Sequence, residues 1–296
     1  MSRRPTSRLS AFPTGIRRLR PEKRSMGSHR KKRFPLGIVG CGHMGTALLE
    51  GILREKVLPP SGILVADVRR SVVSRLQRRH GVVVCDTETL LRQSDVVVLA
   101  VKPQQMSEVL PLVRVSARRD ATLISVAAGV TLKRLGRETG LRRIVRVMPN
   151  LPMKVGAGVI AWSAGSRAVS CGRVVNRLFS PSGVVFQVPE ARMDAVTAIS
   201  GSGPGYLFYL AEIFETLWRE HGLPAALARQ VVARLLIGAG RMLDGTGKDA
   251  ATLRQMVSSP GGTTCAGLAV LQKRKIDAIF RDAVAAARTR SRELSR

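Results

Sequence analysis

The stretch PLGIVGCGHMGTALLEGIL, Pro35 to Leu53, constrains this chain more than any other. Pro35 to Val39 is a short apolar run that reads as a strand. Gly40, Gly42 and Gly45 follow in G-x-G-x-x-G spacing, and Thr46 to Leu53 reads as a helix. Strand, glycine turn and helix in that order form a dinucleotide-binding fingerprint. The glycines permit a tight turn and let the backbone approach a pyrophosphate, while the helix start offers free N–H groups and a positive dipole end. Such a triplet alone is often a chance turn; its place between a strand and a helix makes dinucleotide binding the expectation.

The rest of the first half repeats the theme. GILVADVRR, Gly62 to Arg70, reads as a strand ending at Asp67; Ser71–Arg79 reads as a helix, and Val82–Val84 as a short strand. Ser94–Pro103, Ala121–Val130 and Arg143–Asn150 are further strands, nearly continuous in apolar residues. Uniformly apolar strands alternating with helices argue for a parallel sheet covered on both faces. From 154 to 188 the pattern is mixed: a strand at Gly156–Trp162, a helix at Arg167–Phe179 and a last strand at Gly183–Val188. After Pro189 only helical spacing remains, over Met193–Ser200, Pro204–His221, Ala225–Leu243, Asp249–Met256 and Ile276–Leu294, with a break at Gly222-Leu223-Pro224. The expected fold class is an α/β dinucleotide-binding domain over 35–189, then an all-α domain over 190–296, with a basic extension before both. No internal repeat is visible.

Several residues can serve such a fold. Asp67, roughly 20 residues beyond the glycines, sits where an acid bonds a ribose 2′-OH and favours NAD. Arg69 and Arg70 follow at once, and an arginine there holds the 2′-phosphate of NADP. A plain helix-capping aspartate beside surface arginines is a third reading. Lys102-Pro103-Gln104, Ala128-Gly129 and Asn150 end the fourth, fifth and sixth strands, so they are expected to line the ligand crevice beyond the carboxyl ends, where the nicotinamide half belongs. Two loops rich in hydroxyls and glycine punctuate the helical half: SGSGPGY, Ser200–Tyr206, and SSPGGTT, Ser258–Thr264. Exposed N–H groups with hydroxyls beside them can hold a small carboxylate. Either loop alone reads first as helix capping; two of them beside a nucleotide domain favour a ligand site.

Composition narrows the class. The 296 residues contain 4% aromatics, so aliphatic side chains must fill the core, and no apolar run reaches the roughly 18 residues of a membrane span. The four cysteines are scattered without C-x-x-C, which argues against zinc or a disulfide framework and fits a reducing cytosol. His43 lies in the glycine turn; His80 and His221 each precede a glycine at a helix end. No Ser-His-Asp set, paired-carboxylate signature or metal cluster appears, so the chemistry must need little acid–base help from the protein. The net charge is +29; residues 1–34 carry twelve Lys or Arg against one acid, Glu22, and hold +11 of it. That segment lacks apolar periodicity and reads as disordered. It fits a nucleic-acid or membrane-surface tail, an organelle transit peptide, or an upstream extension with the working start near Met26; the last is favoured. It lacks the interleaved aromatics and fold signature of a nucleic-acid binder.

From about Leu36 to Glu293 the chain resembles the pyrroline-5-carboxylate reductases, through IVGCGHMGTALLEGIL, SDVVVLAVKPQ, SVAAGVT, RVMPNLP, DAVTAISGSGPGY, SSPGGTT and AVAAARTRSREL. The resemblance implies a Rossmann-type domain followed by a helical dimerisation domain. It also implies homodimers, often assembled into decamers, and reduction of 1-pyrroline-5-carboxylate to L-proline, the last step of proline biosynthesis, by NADP(H) or NAD(H) in the cytoplasm. By the same resemblance, Gly40, Gly42, His43, Met44 and Gly45 match the pyrophosphate turn, and Ala100, Lys102, Pro103, Ala128 and Gly129 the nicotinamide side. Ser259, Gly261, Gly262 and Thr264 match the loop for the substrate carboxylate and ring nitrogen, with Thr264 bonding the nitrogen. Leu151, Gly205, Glu215-Thr216-Leu217-Trp218 and Cys265 depart from what the family usually carries. A related imine or β-hydroxyacid reductase is the alternative, but the latter needs a lysine in the first long helix of the second domain, and Pro204–His221 has none.

Overall fold

Strand and helix alternate through the first half: β1 (Phe34–Val39), α1 (His43–Arg54), β2 (Ile63–Ala66), α2 (Arg70–His80), β3 (Val83–Val84), α3 (Thr87–Gln93), β4 (Ser94–Leu99), α4 (Met106–Ser116), β5 (Thr122–Ser125), α5 (Leu132–Thr139) and β6 (Arg143–Met148). β7 (Gly158–Ala164), α6 (Gly172–Phe179) and β8 (Gly183–Gln187) complete one eight-stranded sheet, ordered β3-β2-β1-β4-β5-β6-β7-β8. The computed structural model describes residues 33–165, 168 and 171–294. All but the last two residues of the expected basic extension lie outside the described residues. Phe34 is buried and opens β1, so the strand starts one residue before Pro35.

Strand periodicity builds the two layers of core. Ile63 and Val65 of β2 face one side, with Leu48 and Ile52 of α1 and Val72 and Leu76 of α2. Leu64 and Ala66 face the other, with Leu90 and Leu91 of α3 and Leu110 of α4. Because both faces are covered, the strands are apolar throughout rather than alternating. β1 to β6 are parallel, as expected, but β7 runs antiparallel to β6, pairing Met148 with Ala161. The link Pro149–Ala157 is too short for a crossover, which takes a dozen residues or more, so the chain must turn straight back. Composition of the strands does not reveal this.

Beyond Pro189 the described chain is helical: α7 (Met193–Val196), α8 (Gly203–Glu220), α9 (Ala228–Gly245), α10 (Ala250–Met256), α11 (Thr263–Lys273) and α12 (Ile276–Glu293). SGSGPGY opens α8 from Gly203, as the helical spacing from Pro204 predicts, but Ser200 and Gly201 are not the loop expected. Thr197–Gly201 forms a π-helical turn that carries α7 on toward α8. Its hydroxyls turn back on the helix, with Thr197 Oγ1 donating to Met193 O at 2.9 Å and Ser200 Oγ to Val196 O at 2.9 Å. The break at Gly222-Leu223-Pro224 is real, and Trp218 closes it: its indole Nε1 donates to Pro224 O at 2.9 Å. That bond is a structural use for a side chain that departs from the resemblance. From Arg33 on, the chain forms one compact unit.

The helical half has little core of its own. α8, an 18-residue helix, buries no residue, and neither does α11. Leu207, Phe208, Phe214 and Leu217 of α8 and Leu235 and Ile237 of α9 are exposed. An apolar helix face of this extent needs something to cover it.

Candidate active site

The strand order β3-β2-β1-β4-β5-β6 reverses direction between β1 and β4, and ligands bind such sheets at that switch point, beyond the carboxyl ends. The predicted cofactor residues gather there. Gly40 follows β1 with φ +90°, a left-handed value, and its amide donates to Ala66 O at 2.8 Å. Its Cα abuts the neighbouring turn so closely that a Cβ would meet the carbonyl carbon of Ala100 at 2.8 Å. Gly42 is the N-cap of α1 and supplies no side-chain cap, which leaves the first-turn amides facing outward. His43 is the exposed first residue of α1, with Met44 partly buried behind it.

Asp67 pins this turn. Its Oδ2 accepts from Cys41 N at 2.7 Å, and its Oδ1 accepts from Arg69 N at 2.9 Å and Arg69 Nε at 3.1 Å. The simple capping reading fails, because Arg69 is the N-cap of α2 and Asp67 reaches across to the glycine turn instead. Burial pushes the Asp67 carboxyl up, but its hydrogen bonds from Arg69 and Cys41 outweigh that and hold it below the usual carboxylate range. Burial, then the Asp67 charge, pushes the neighbouring Cys41 thiol up to about 12, so it is an uncharged filler of the turn at neutral pH. Arg69 is exposed and reaches toward Gly42, with Nη2 4.0 Å from where a Gly42 Cβ would lie.

The depressed Asp67 value has a stability consequence. A lowered carboxylate pKa stabilises the fold above the unfolded value, near pH 3.9, and the effect is lost as pH falls through the folded value. Asp67→Asn is expected to destabilise the protein by about 1 kcal/mol at pH 7, a figure kept small because the Arg69 partner is open to solvent. The difference from wild type should close below about pH 4. Thermal melts across pH check it; a gap that persists unchanged at low pH contradicts it.

The next strand ends carry the other residues predicted for the cofactor side. Ala100 N donates to Val39 O at 2.8 Å, and Val126 N to Leu99 O at 3.1 Å, so the turns after β1, β4 and β5 stand side by side. Lys102 is exposed and closed off by Gln105, whose Oε1 accepts from Lys102 N at 3.2 Å, with Pro103 starting a 3-10 turn. Ala128 is partly buried and Gly129, at φ +78°, is buried in the turn before α5. Asn150 is not the open crevice group expected. It is buried, its Nδ2 donates to Ser200 O at 3.0 Å, and its Oδ1 accepts from Val159 N at 2.9 Å. It ties the end of β6 to the π-helical turn.

SSPGGTT forms the turn between α10 and α11. Gly261 has φ +72° and Gly262 is the N-cap of α11, again without a side-chain cap. Ser259, Gly261 and Thr264 are exposed, and Cys265 Sγ donates to Ser259 O at 3.1 Å. Among the described residues, the hydrogen bonds found for this turn stay between Arg254 and Ala266; none reaches the sheet. The chain therefore brings the predicted cofactor residues together but leaves the predicted substrate residues exposed in the α10–α11 turn. Leu151 is exposed and begins the 3-10 turn after β6.

A mostly parallel sheet with a glycine turn at its switch point, an uncapped helix start behind that turn and an arginine at the second strand end define a Rossmann-type dinucleotide-dependent oxidoreductase. The family described as "NADP oxidoreductase coenzyme F420-dependent" matches residues 35–129, and "Pyrroline-5-carboxylate reductase dimerisation" matches residues 190–294. The chain is 38% identical to the pyrroline-5-carboxylate reductase of Arabidopsis thaliana over 88% of its own length and 96% of that protein's. Its fold matches a pyrroline-5-carboxylate reductase from Coxiella burnetii with a TM-score of 0.82 at 30% identity, covering 90% of this chain and 100% of the other. A Plasmodium falciparum pyrroline carboxylate reductase with NADP bound matches with a TM-score of 0.79 at 27% identity, covering 90% and 99%. The chain belongs to the pyrroline-5-carboxylate reductase family.

Sequence reading missed one feature of this region. Buried Arg146 and Ser291 and the partly buried Glu190 and Asp194 form a polar cluster behind the β5–α5 turn. Its signal was present: Arg146 interrupts the apolar run of RIVRVM at a position inside the sheet.

Proposed function

We propose that this protein reduces 1-pyrroline-5-carboxylate to L-proline with NADP(H) as the hydride source, as the final step of proline biosynthesis in the cytoplasm. The glycine cradle fits a dinucleotide: Gly40 and Gly45 lie so close to neighbouring backbone that a Cβ would fill the turn, and the start of α1 is uncapped. When bound, the dinucleotide supplies the hydride. Gly40, Gly42, His43, Met44 and Gly45 hold its pyrophosphate. Arg69 favours the 2′-phosphate, because Asp67 is already engaged by Arg69 and Cys41. Ala100, Lys102, Pro103, Ala128 and Gly129 border the nicotinamide.

The observation that carries the substrate reading is the start of α11. Gly262 caps that helix with no side chain, beside Gly261 in a left-handed turn, so the first-turn amides and the Ser259 and Thr264 hydroxyls are presented together. Such a group holds a carboxylate without a formal cation. Thr264 then hydrogen-bonds the ring nitrogen. A protonated cyclic imine is already electrophilic, so the protein has chiefly to orient two rings about 3–3.5 Å apart and exclude water.

Exposed apolar faces on α8 and α9 and the dimerisation match over 190–294 support a homodimer, with a decamer of such dimers as the larger assembly. The uncovered SSPGGTT turn then meets a cofactor edge within the assembly. Two functional domains, 35–189 and 190–296, follow from this division of labour, with the segment before them accessory to it. Four free cysteines among the described residues suit a reducing compartment.

The test is steady-state oxidation of NADPH, and separately NADH, with pyrroline-5-carboxylate. Turnover with kcat/KM favouring NADPH by about tenfold or more is expected, from the extra charge-assisted bonds of the 2′-phosphate to Arg69. Thr264→Ala should lower kcat/KM about hundredfold, the scale of losing a transition-state hydrogen bond to a reacting group. A folded wild type that binds NADPH without turning over this substrate would overturn the assignment.

A further inference from the structure

Arg146 is the one cationic residue that is buried among the described residues. It sits on β6, opposite Ser125 of β5 and Ser163 of β7, at a position where the strand pattern calls for an apolar residue. A guanidinium there is costly unless carboxylates meet it. Both of its partners come from the segment that leads into the helical half. Glu190 Oε1 lies 3.5 Å from Arg146 Nη1, and Asp194 Oδ1 lies 3.7 Å from Nη2.

Each carboxylate also holds a second element. Glu190 Oε1 accepts from Leu132 N at 2.6 Å, at the first residue of α5 and just beyond the Ala128–Gly129 turn. Asp194 Oδ1 accepts from Ser291 Oγ at 2.8 Å, near the end of α12, and its Oδ2 lies 3.9 Å from Arg292 Nε. The same end of α12 closes directly on the turn. A Cβ on Gly129 would stand 2.8 Å from the carbonyl carbon of Leu294 and 3.0 Å from its oxygen. The turn is thus flanked on one side by the start of α5 and on the other by the end of α12, and one buried cation joins the anchors of both.

We propose that Arg146, Glu190, Asp194 and Ser291 form a positioning joint that clamps the Ala128–Gly129 turn between α5 and the end of α12, so that the helical half sets the nicotinamide-side wall. The proposal rests on the assignment of Ala128 and Gly129 to that wall. None of the four residues touches the reacting atoms; they act through the turn. Hydride transfer is steep in distance, and a misplacement of about 1 Å can cost about hundredfold in rate. A loosened clamp should therefore lower kcat before it weakens binding of the dinucleotide, whose pyrophosphate is held at the separate Gly40 turn.

Full-length Ser291→Ala and Asp194→Asn test this, by amide hydrogen exchange, NADPH titration and turnover. Ser291→Ala removes the hydrogen bond from α12 to Asp194. Asp194→Asn keeps an acceptor for Ser291 but removes the charge facing Arg146. In each, exchange should rise about tenfold at 129–135 as well as at 288–294, with 40–48 unchanged, because an interaction with a charged group (the Ser291 hydrogen bond in one variant, the ion pair with Arg146 in the other) has been lost at the joint alone. NADPH affinity should change less than about twofold, while kcat falls about tenfold. A rise confined to 288–294, a rise throughout the chain with lower Tm, or unchanged kcat in both variants overturns the proposal. If the wild type does not reduce pyrroline-5-carboxylate, the functional assignment fails by that result, and the exchange pattern alone still decides whether the joint exists.

Discussion

Gly45→Ala is expected to strip the protein of its dinucleotide. An added Cβ would stand 2.0 Å from Gly40 O, 3.1 Å from Gly40 C and 3.2 Å from Ala100 Cβ. The first two are backbone atoms of the turn itself, so no side-chain rotation relieves the clash. Either α1 moves away from β1, or the turn gives up its left-handed shape at Gly40. Both displace the amides assigned above to the pyrophosphate. Overpacking of this kind costs about 1–3 kcal/mol in stability. The NADPH Kd should rise about hundredfold, equivalent to about 2.7 kcal/mol. Fluorescence titration measures it, and Gly42→Ala is the useful companion. A Cβ there meets only Arg69 Nη2, at 4.0 Å, so that variant should keep the wild-type Tm. A folded Gly45→Ala protein with native NADPH affinity would refute this account of the turn.

Phe214→Glu should leave a monomer without activity. α8 buries none of its residues, and Phe214 is 51% exposed beside Leu207 and Leu217 on a helix that has the apolar content of a core element. In a two-fold assembly the substitution appears twice. Each copy loses about 1.5–3 kcal/mol of side-chain burial and places a carboxylate against apolar surface. The dimer Kd should weaken by about a thousandfold or more, consistent with losing at least about 4 kcal/mol. Light scattering behind size exclusion reads the mass, and turnover reads whether the SSPGGTT turn works without its partner. A variant that remains dimeric and active would show that this face is not the interface.

Much of the candidate site's local structure was legible because it is set locally. The glycine turn, the carboxyl ends of β4 and β5 and the hydroxyl-rich start of α11 are each set by a few consecutive residues, and each stands where the pattern placed it. Asp67 was ambiguous for a physical reason: three readings fit a lone acid at a strand end, and only the bonds to Cys41 N and Arg69 remove the simple capping one. The start of SGSGPGY misled because serine and glycine signal loops when read locally, whereas packing of Gly201 against Met148 and the Asn150 bond to Ser200 O hold Ser200 and Gly201 in a π-helical turn. Trp218 looked only like a departure until its indole was found closing the α8–α9 break.

The sequence by itself determined the layered α/β architecture, the dinucleotide turn and the helical second half, because hydrophobic period and glycine spacing act over a few residues. The tertiary structure alone decided the reversed β7, the inward turn of Asn150, the bare faces of α8 and the Arg146 joint. Each of these joins segments distant along the chain (Asp194 and Ser291 most of all), and no local pattern records which distant groups a fold will bring within hydrogen-bonding range.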